Sequence, residues 1–364
     1  MSNVLSESSE FSDSRAEALP LHTRALNVIV SRESAGLWRA RGDVIDLRKN
    51  GCVPSVDDVQ PAGIIHMMSI ALDFDPATLR MDRIDIDQPF VAVEPSKATG
   101  GECCRDPLPR LKALTGDHLD EGFTRRLAGG FGGPLGCSHL LTLFQLMAST
   151  VPRAIALERE RATREASETA PGTRFFRRSV YVDGQTLRDG SLDVVIQLAD
   201  THTRPPSPGN RGFERLASSH EVKCFAGVER KRFRLERLDV RERTRDLLAN
   251  ADAPWINHDA LVAPLVGHPL IPGMAGRIFK LFETGVPKCP MQDSLLQLAP
   301  GFIQIMAALM DHNFRNRQAE ALASEPATPS VAGIGGMPDS CYMWRTDSPY
   351  AVSRREAMLP RKSN

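Results

Sequence analysis

Alternating apolar and polar positions divide the chain into strands followed by helices. Residues 25–33 and 192–200 alternate with the two-residue period of a strand that has one buried face. Residues 67–75 and 79–87 alternate in the same way and read as a hairpin turning at Asp75-Pro76. Residues 139–166 carry apolar positions at helical spacing and end in charged residues. Strands followed by helices, without βαβ alternation, predict an α+β fold rather than a doubly wound parallel sheet.

The strand-then-helix order occurs twice. Residues 64–86 align without a gap on residues 218–240, so that His66 falls on His220. Three further blocks match in the same order: 36–47 with 186–198, 114–123 with 265–274, and 136–148 with 288–307. These matches predict two tandem, diverged copies of one antiparallel-sheet-plus-helices unit, a pseudo-dimer. The alternative is that two α+β domains with a similar order of strands and helices resemble each other by coincidence.

The predicted boundaries follow from these blocks. They are a disordered tail over 1–20, a first copy over 21–155, a second copy over 173–315, and an extended crossing, return strand and tail over 316–364. Only the first copy keeps a full His/Cys/His set, because the block containing His139 has Met291 or its neighbourhood at that place in the second copy. The second copy is therefore interpreted as a degenerate partner that packs against the first.

Charge and cysteine content restrict the partners and the compartment. The 45 basic and 45 acidic residues give a formal net charge of zero, which disfavours nucleic acid or an anionic membrane as partner. No stretch reads as the roughly 20 apolar residues that span a bilayer, and the Ser/Glu-rich start lacks a secretory pattern. Seven cysteines at irregular spacing favour a reducing compartment. We expect a cytoplasmic protein, and a homo-oligomer is compatible with these features.

The sharpest local motif is Gly136-Cys137-Ser138-His139-Leu140, where a Gly-rich loop gives way to a helix. The free N–H groups and positive dipole end of a helix start predict a lowered pKa for Cys137. A thiolate and an imidazole from one turn suit a metal ion, a nucleophile with its base, or a proton-transfer pair. The structural alternative is a buried cysteine and a core histidine, with Ser138 serving as the N-cap.

Four further residues complete the set of candidates. His66 opens a strand, Cys104 follows the strand pair, Tyr342 lies in a Trp- and Tyr-bearing segment over 339–345, and Arg24 lies in the first strand. Each also has a purely structural interpretation as a packed or solvated position. No GxGxxG after a strand, P-loop, HExxH, GxSxG or paired CxxC occurs, so nucleotide-driven and zincin-type chemistry lack support.

These residues resemble the DUF2889 family of uncharacterised bacterial proteins. The matching features are His22-Thr23-Arg24, Gly36-Leu37-Trp38, Asp43 with Asp46, His66-Met67-Met68, Leu114-Thr115-Gly116, Gly136 to Leu140, and Asp339-Ser340-Cys341-Tyr342. They cover residues 21–150 and resume at 339, whereas the family's usual member is a single short unit. If the terminal motif belongs to the first copy, the chain must return to it after residue 330. The resemblance also hints at bacterial catabolism.

A more distant likeness is to the iron–sulfur cluster scaffold fold. Cys104, Cys137 and His139 can be aligned with the cysteine and histidine positions of that fold. An early third cysteine is missing, because Cys52 lies in the loop before Pro54. The likeness is one of topology and carries little functional weight.

The function predicted from these residues is an enzyme acting on a small apolar or aromatic molecule by histidine-based proton transfer. Carbon–carbon lyase chemistry and hydrolysis both fit this description. His66, His139 and Cys137 are the predicted catalytic residues, and Arg24, Cys104 and Tyr342 the predicted substrate contacts. We expect either no cofactor or a single zinc or iron ion on Cys137 and His139. The alternative is a Cys/His metal-binding or iron–sulfur-scaffold-like module.

Overall fold

The computed structural model describes most of the chain outside its two ends. The described residues are 18–54, 59–207, 212–246, 250, 252–283, 290–321 and 337–357. Nearly all of the predicted N-terminal tail, the middle of the predicted crossing and the last seven residues lie outside this range.

Nine strands within the described residues form one open antiparallel sheet. They are β1 (Leu19–Arg32), β2 (Trp38–Pro54), β3 (Val59–Phe74), β4 (Met81–Phe90), β5 (Thr173–Thr186), β6 (Leu192–Thr203), β7 (Leu216–Glu229), β8 (Arg234–Arg245) and β9 (Ile256–Asn257). Their order across the sheet is β4-β3-β2-β1-β5-β6-β7-β8-β9. Together with the helices this confirms the predicted α+β class.

Helices follow each set of strands. They are α1 (Leu108–Lys112), α2 (Phe123–Phe131), α3 (Ser138–Arg164), α4 (Asp259–Val262), α5 (Met274–Phe282), α6 (Pro290–Leu295), α7 (Leu298–Ala321) and α8 (Pro349–Ala357). The long helices α3 and α7 both pack against the central strands β1, β2, β5 and β6.

The core lies between these two helices and one face of the sheet. On β1, Leu26, Val28 and Val30 are buried and alternate with partly exposed residues, as the period of a strand requires. On α3, Leu140, Leu143 and Met147 are buried at helical spacing. The apolar positions of both patterns thus meet in one cluster. It contains residues from the first half of the chain (β1 to α3) and from the second half (β5 to α7).

The two halves meet at the centre of the sheet, where β1 pairs antiparallel with β5. Leu26 is in register with Val180, and these two residues are separated by the same 154 positions as His66 and His220. The third strand of each half, β3 and β7, carries that histidine pair. This arrangement is the one expected of a pseudo-two-fold axis, and it supports the predicted duplication, which stays a prediction.

The chain returns to the first half at its C-terminal end. The backbone N–H of Tyr342 donates to the carbonyl of Gly136 (2.8 Å), and Arg345 donates to both carboxylate oxygens of Glu102 (2.8 and 2.9 Å). The predicted return strand is wrong, because Tyr342–Trp344 forms a 3-10 turn followed by α8. The segment contacts the start of α3 and the loop that holds Glu102.

Two helical segments of this core are long and apolar enough to span a membrane by length and composition: α3 (Ser138–Arg164), and Pro290–His312, which joins α6 to the first part of α7. This corrects the prediction that no stretch meets that test. In each helix 56% of the most apolar window is buried inside the protein. A buried core helix meets the same test, so the feature is weak evidence for a membrane span, and the cytoplasmic location stays a prediction.

A close approach at the centre of the sheet gives a first testable prediction. A Cβ atom at Gly184 on β5 would lie 2.2 Å from Cδ1 of Ile305 on α7. We expect Gly184→Ala to lower the free energy of unfolding by about 1–3 kcal/mol, because Ile305 must move within a packed core. Gly227→Ala on β7 is the control, since its nearest contact would be an ordinary 3.5 Å. Equal stabilities of the two variants in urea denaturation would contradict the prediction.

Candidate functional site

A cavity of about 280 Å³ lies in the first half between the sheet, α3, α7 and the C-terminal segment. One part of its wall is apolar and includes Ile65, Val93, Leu141, Ile303, Met343 and Trp344. The other part carries the polar groups His66, His139, Arg24, Arg48 and Asp311. A mainly apolar cavity with a few convergent polar groups is typical of a small-molecule site.

Asp46 on β2 is the centre of the polar wall. It is 0% exposed and lies in register with Arg24 of β1 on one side and His66 of β3 on the other. The sheet therefore places these three side chains in one row. Arg24 donates from Nε to Asp46 Oδ1 (2.9 Å) and from Nη2 to Oδ2 (3.1 Å), a bidentate pair. His22 Nε2 lies 2.8 Å from Oδ1.

These neighbours keep Asp46 ionised. Burial by itself would raise its pKa, but the charge of Arg24 and the hydrogen bond with His22 hold the pKa of Asp46 well below its usual range. The result is a buried carboxylate with a fixed orientation and a fixed charge.

Two histidines stack beside this carboxylate. The rings of His66 and His139 have centroids 3.9 Å apart and planes inclined by 33°. Nε2 of His139 lies 3.2 Å from Asp46 Oδ2, although it is not aligned for a hydrogen bond. Among the described residues, neither this atom nor Nδ1 of His66 has a hydrogen-bond partner.

Both rings are neutral at pH 7. Burial lowers the pKa of His66 to about 4. Burial, followed by the neighbouring His66, lowers the pKa of His139 well below its usual value. A pair of neutral imidazoles with unused nitrogen atoms can accept a proton from a molecule in the cavity.

Three cysteine thiols also line the cavity: Cys104, Cys137 and Cys341. The predicted lowering of the pKa of Cys137 is wrong. Burial raises this pKa to about 12, and the backbone N–H groups of Leu140 and His139 offset only part of that effect. Burial also raises the pKa of Cys104 well above its usual value. At pH 7 these groups are thiols, which disfavours Cys137 as a nucleophile.

The cavity brings together all six predicted site residues: Arg24, His66, Cys104, Cys137, His139 and Tyr342. Cys137, not Ser138, is the N-cap residue of α3, and its Sγ lies 3.7 Å from Nδ1 of His139. The hydroxyl of Tyr342 is turned towards Glu102 (3.4 Å), and the guanidinium of Arg345 covers its ring at 3.8 Å. Tyr342 thus contributes a wall rather than a free hydroxyl.

Sequence reasoning missed three residues of the polar wall: His22, Arg48 and Asp311. Asp46 was noted without a role. His22, Asp46 and Arg48 occupy inward positions of strands that otherwise bury apolar side chains. A polar residue at such a position is the signal that could have identified them. Asp311 comes from α7, and no local pattern connects it to this site.

A metal ion has one set of ligands available. Ligand atoms of Asp46, His66 and His139 lie within 4.8 Å of one another. This set differs from the predicted pair of Cys137 and His139. Arg24, however, donates to both carboxylate oxygens of Asp46 and places a positive charge beside the position of a cation. The arrangement therefore suits proton transfer better than a metal.

The second half keeps the strand residues of this site but not the helix residue. Arg178, Asp200 and His220 occupy the counterpart positions of Arg24, Asp46 and His66, again 154 positions further along the chain. With the same offset of 154 positions, Asp293 rather than Met291 falls on His139, and it accepts a hydrogen bond from Arg178. Arg153 of α3 donates to Asp200 (3.0 Å) and lies 3.1 Å from Nδ1 of His220. In the second half these charged side chains pair with one another, whereas the two histidines of the first half face a cavity.

Comparison with known families agrees with the resemblance seen in the sequence. Residues 22–153 match the model of a protein family of unknown function, DUF2889. The matched range holds Arg24, Asp46, His66, Cys137 and His139, so the first half is a DUF2889 unit. No curated protein and no solved structure matches the chain. The likeness to the iron–sulfur scaffold fold stays a prediction.

Proposed function

We propose that this chain with a DUF2889 unit is an enzyme that moves a proton on a small, largely apolar molecule bound in the first-half cavity. The observation that carries the proposal is the stacked pair of neutral histidines, His66 and His139, beside the ionised carboxylate of Asp46. The other features of the cavity indicate how such a pair would transfer a proton.

A histidine acting as general base must be unprotonated and must have a free nitrogen. His66 and His139 are neutral at pH 7 and line the cavity, and one buried ring nitrogen of each, Nδ1 of His66 and Nε2 of His139, has no hydrogen-bond partner among the described residues. When one of them takes a proton, the new imidazolium lies close to Asp46, whose negative charge stabilises it. The bidentate contact with Arg24 holds that carboxylate in place during the transfer.

The second neutral ring completes the acid–base pair. Protonation of either histidine raises the cost of protonating the other, because their centroids are only 3.9 Å apart. One ring therefore carries the proton while the other stays neutral. The thiol of Cys137 lies at 3.7 Å from Nδ1 of His139 and orients this ring.

The apolar wall selects the substrate and excludes water. Trp344 and Tyr350 line the cavity and contact each other edge to face with centroids 5.2 Å apart. Such a wall suits an apolar and even a planar aromatic body. Proton transfer is the step that these features support. The structure of the substrate decides whether the proton transfer is followed by carbon–carbon cleavage or by hydrolysis.

The experiment is a screen for catalysed proton exchange. The full chain is incubated in D₂O with small aromatic and aliphatic compounds that carry acidic C–H groups, and exchange is followed by proton NMR. For a compound that exchanges, we expect His66→Gln and His139→Gln each to lower the rate by about 10²–10⁴-fold, the usual contribution of a general base.

His220→Gln is the matched control, since His220 is the counterpart of His66 in the second half. It should leave the exchange rate unchanged. Circular dichroism and urea denaturation establish that each variant folds. Unchanged exchange in both folded first-half variants would refute the proposal.

A metal centre is the second candidate, favoured by the close approach of Asp46, His66 and His139. It predicts about one metal ion per chain in protein purified without chelators. That metal should disappear in His66→Gln and persist in His220→Gln. Such a result would favour metal-assisted chemistry over acid–base chemistry at this site.

A further inference from the structure

We propose that the outer face of the sheet holds a second binding site, a groove in which Arg174, Arg177 and Arg215 receive a small phosphorylated molecule. The outer face is the one opposite to the helices α3 and α7, and this arginine groove lies where β1, β5 and β6 run side by side. Its volume is about 360 Å³. The groove is separate from the first-half cavity, and the proposal goes beyond the proposed function.

A bulge in β5 brings two of the arginines to the same face. The pairing of β5 with β1 skips Phe175, so that Phe176 and Arg174 lie opposite consecutive residues of β1. Residues three positions apart on a regular strand point to opposite faces, and the extra residue returns Arg174 to the face of Arg177. Both arginines are exposed, whereas the two phenylalanines between them are buried.

The strand register places no carboxylate opposite Arg177. Arg39, on the same face of the sheet, lies opposite Asp73 and donates to it from Nε (2.7 Å). Arg177 instead lies between the uncharged residues Ile29 of β1 and Thr201 of β6. Within the part of the chain that the structure describes, Arg177 forms no ion pair.

The other two arginines lack a carboxylate partner as well. Arg174 lies opposite Ser31, whose hydroxyl donates to Glu33 (2.5 Å), and Glu33 does not line the groove. Arg215 donates from Nε to the carbonyl oxygen of Arg204 (3.3 Å). None of the described residues that line the groove is acidic. Three guanidinium groups therefore share one opening without a counter-ion, and such an opening attracts anions.

The same bulge occurs in the first half of the chain without the arginines. There the pairing of β1 with β5 skips Leu21, which precedes Phe175 by 154 positions. With this offset the three arginines fall on uncharged residues: Pro20, Thr23 and Pro61. The sheet thus forms this bulge without arginine at these positions, which favours a role of the arginines in binding over a role in the fold.

A phosphomonoester is the ligand chemistry that fits the groove. The planar fork of a guanidinium group binds two phosphate oxygens at once, and a phosphomonoester carries a charge of about −1.5 to −2 at pH 7. Ile29 and Pro206 line the groove and offer apolar contacts to a short carbon skeleton. The zero net charge of the chain disfavours a nucleic acid backbone as the source of the phosphate.

Glycerol 1-phosphate is the probe, with glycerol as its uncharged counterpart, in isothermal titration calorimetry of the full-length chain. We expect glycerol 1-phosphate to bind and glycerol not to bind. Arg174→Gln and Arg177→Gln should each lower the affinity by about 10- to 100-fold, as for a lost charge-assisted hydrogen bond. Arg39→Gln is the matched control on the same face and should leave the affinity unchanged, because Arg39 is paired with Asp73.

The stability of the variants without ligand separates binding from a structural role. Arg174→Gln and Arg177→Gln should not lower the midpoint of urea denaturation, because each removes one of two neighbouring like charges. A lowered midpoint in both variants would indicate a structural role and contradict the proposal.

Three binding results would overturn the proposal: no binding of glycerol 1-phosphate at millimolar concentration, an equal loss of affinity in Arg39→Gln, or binding to phosphatidylserine vesicles without binding of the soluble phosphate. The last result would indicate a membrane surface as the source of the phosphate. Arg174 and Arg177 do not line the first-half cavity, so the proton-exchange test of His66 and His139 is independent of these results.

Discussion

Asp46→Ala is expected to lower the free energy of unfolding by about 3–5 kcal/mol, the usual cost of breaking a buried ion pair from one side. Arg24 is 1% exposed and donates to both oxygens of Asp46. Without that carboxylate its charge stays buried with no counter-ion. His22 loses its partner as well. Urea denaturation at pH 7 measures the change.

Asp43→Ala is the matched control on the same strand. Asp43 pairs with Arg41 on the exposed face of β2, where the Arg41 side chain is 61% exposed. Such a surface pair contributes at most about 1 kcal/mol. A double replacement, Arg24→Met with Asp46→Leu, should recover much of the stability lost in Asp46→Ala. Equal effects of Asp46→Ala and Asp43→Ala would contradict the prediction.

Acid is expected to destabilise the fold strongly between pH 6.5 and pH 4. His66 has an ordinary pKa of 6.5 and a pKa of about 4 in the folded protein, because burial opposes its charged form. In that interval the unfolded chain binds a proton at this residue and the folded chain does not. Stability is therefore complete above pH 6.5 and is lost as the pH falls, by about 3 kcal/mol from His66 alone.

The pKa values of His22 and His139 are lowered as well, in both cases chiefly by burial, so they act in the same direction. Urea denaturation at pH 7, 5.5 and 4 gives the slope for the native chain and for His66→Gln. The variant should lose stability less steeply, by about 1.4 kcal/mol per pH unit for one proton. Parallel curves for the two proteins would show that His66 is not held neutral.

The second half offers an internal comparison for both predictions. Its Arg178–Asp200 pair has the same bidentate geometry, with distances of 2.7 and 2.8 Å. Asp293 stands where the first half has His139, and Arg153 adds a further positive charge. The second half thus holds an ion network where the first half has two stacked neutral histidines.

Local periodicity was sufficient for the class of the fold. Alternation along β1, β2 and β3 depends on the backbone alone, since successive side chains point to opposite faces of any strand. Arg24 and His66 were predicted as site residues from the sequence, whereas Asp46, which lies between them on the same face, was given no role. The gapless match of 64–86 with 218–240 likewise follows from residue order. The strands that this match pairs, β3 and β7, are each the third strand of their half.

The tertiary structure decided what these residues do, because their chemistry depends on neighbours that are distant in the chain. Arg48 and Asp311 are 263 positions apart, and only the packing of α7 brings them together. The pKa of Cys137 was predicted from its helix start, which lowers it, but burial under the C-terminal segment and the sheet raises it instead. Desolvation is a property of the whole packed surroundings, so no local pattern contains it.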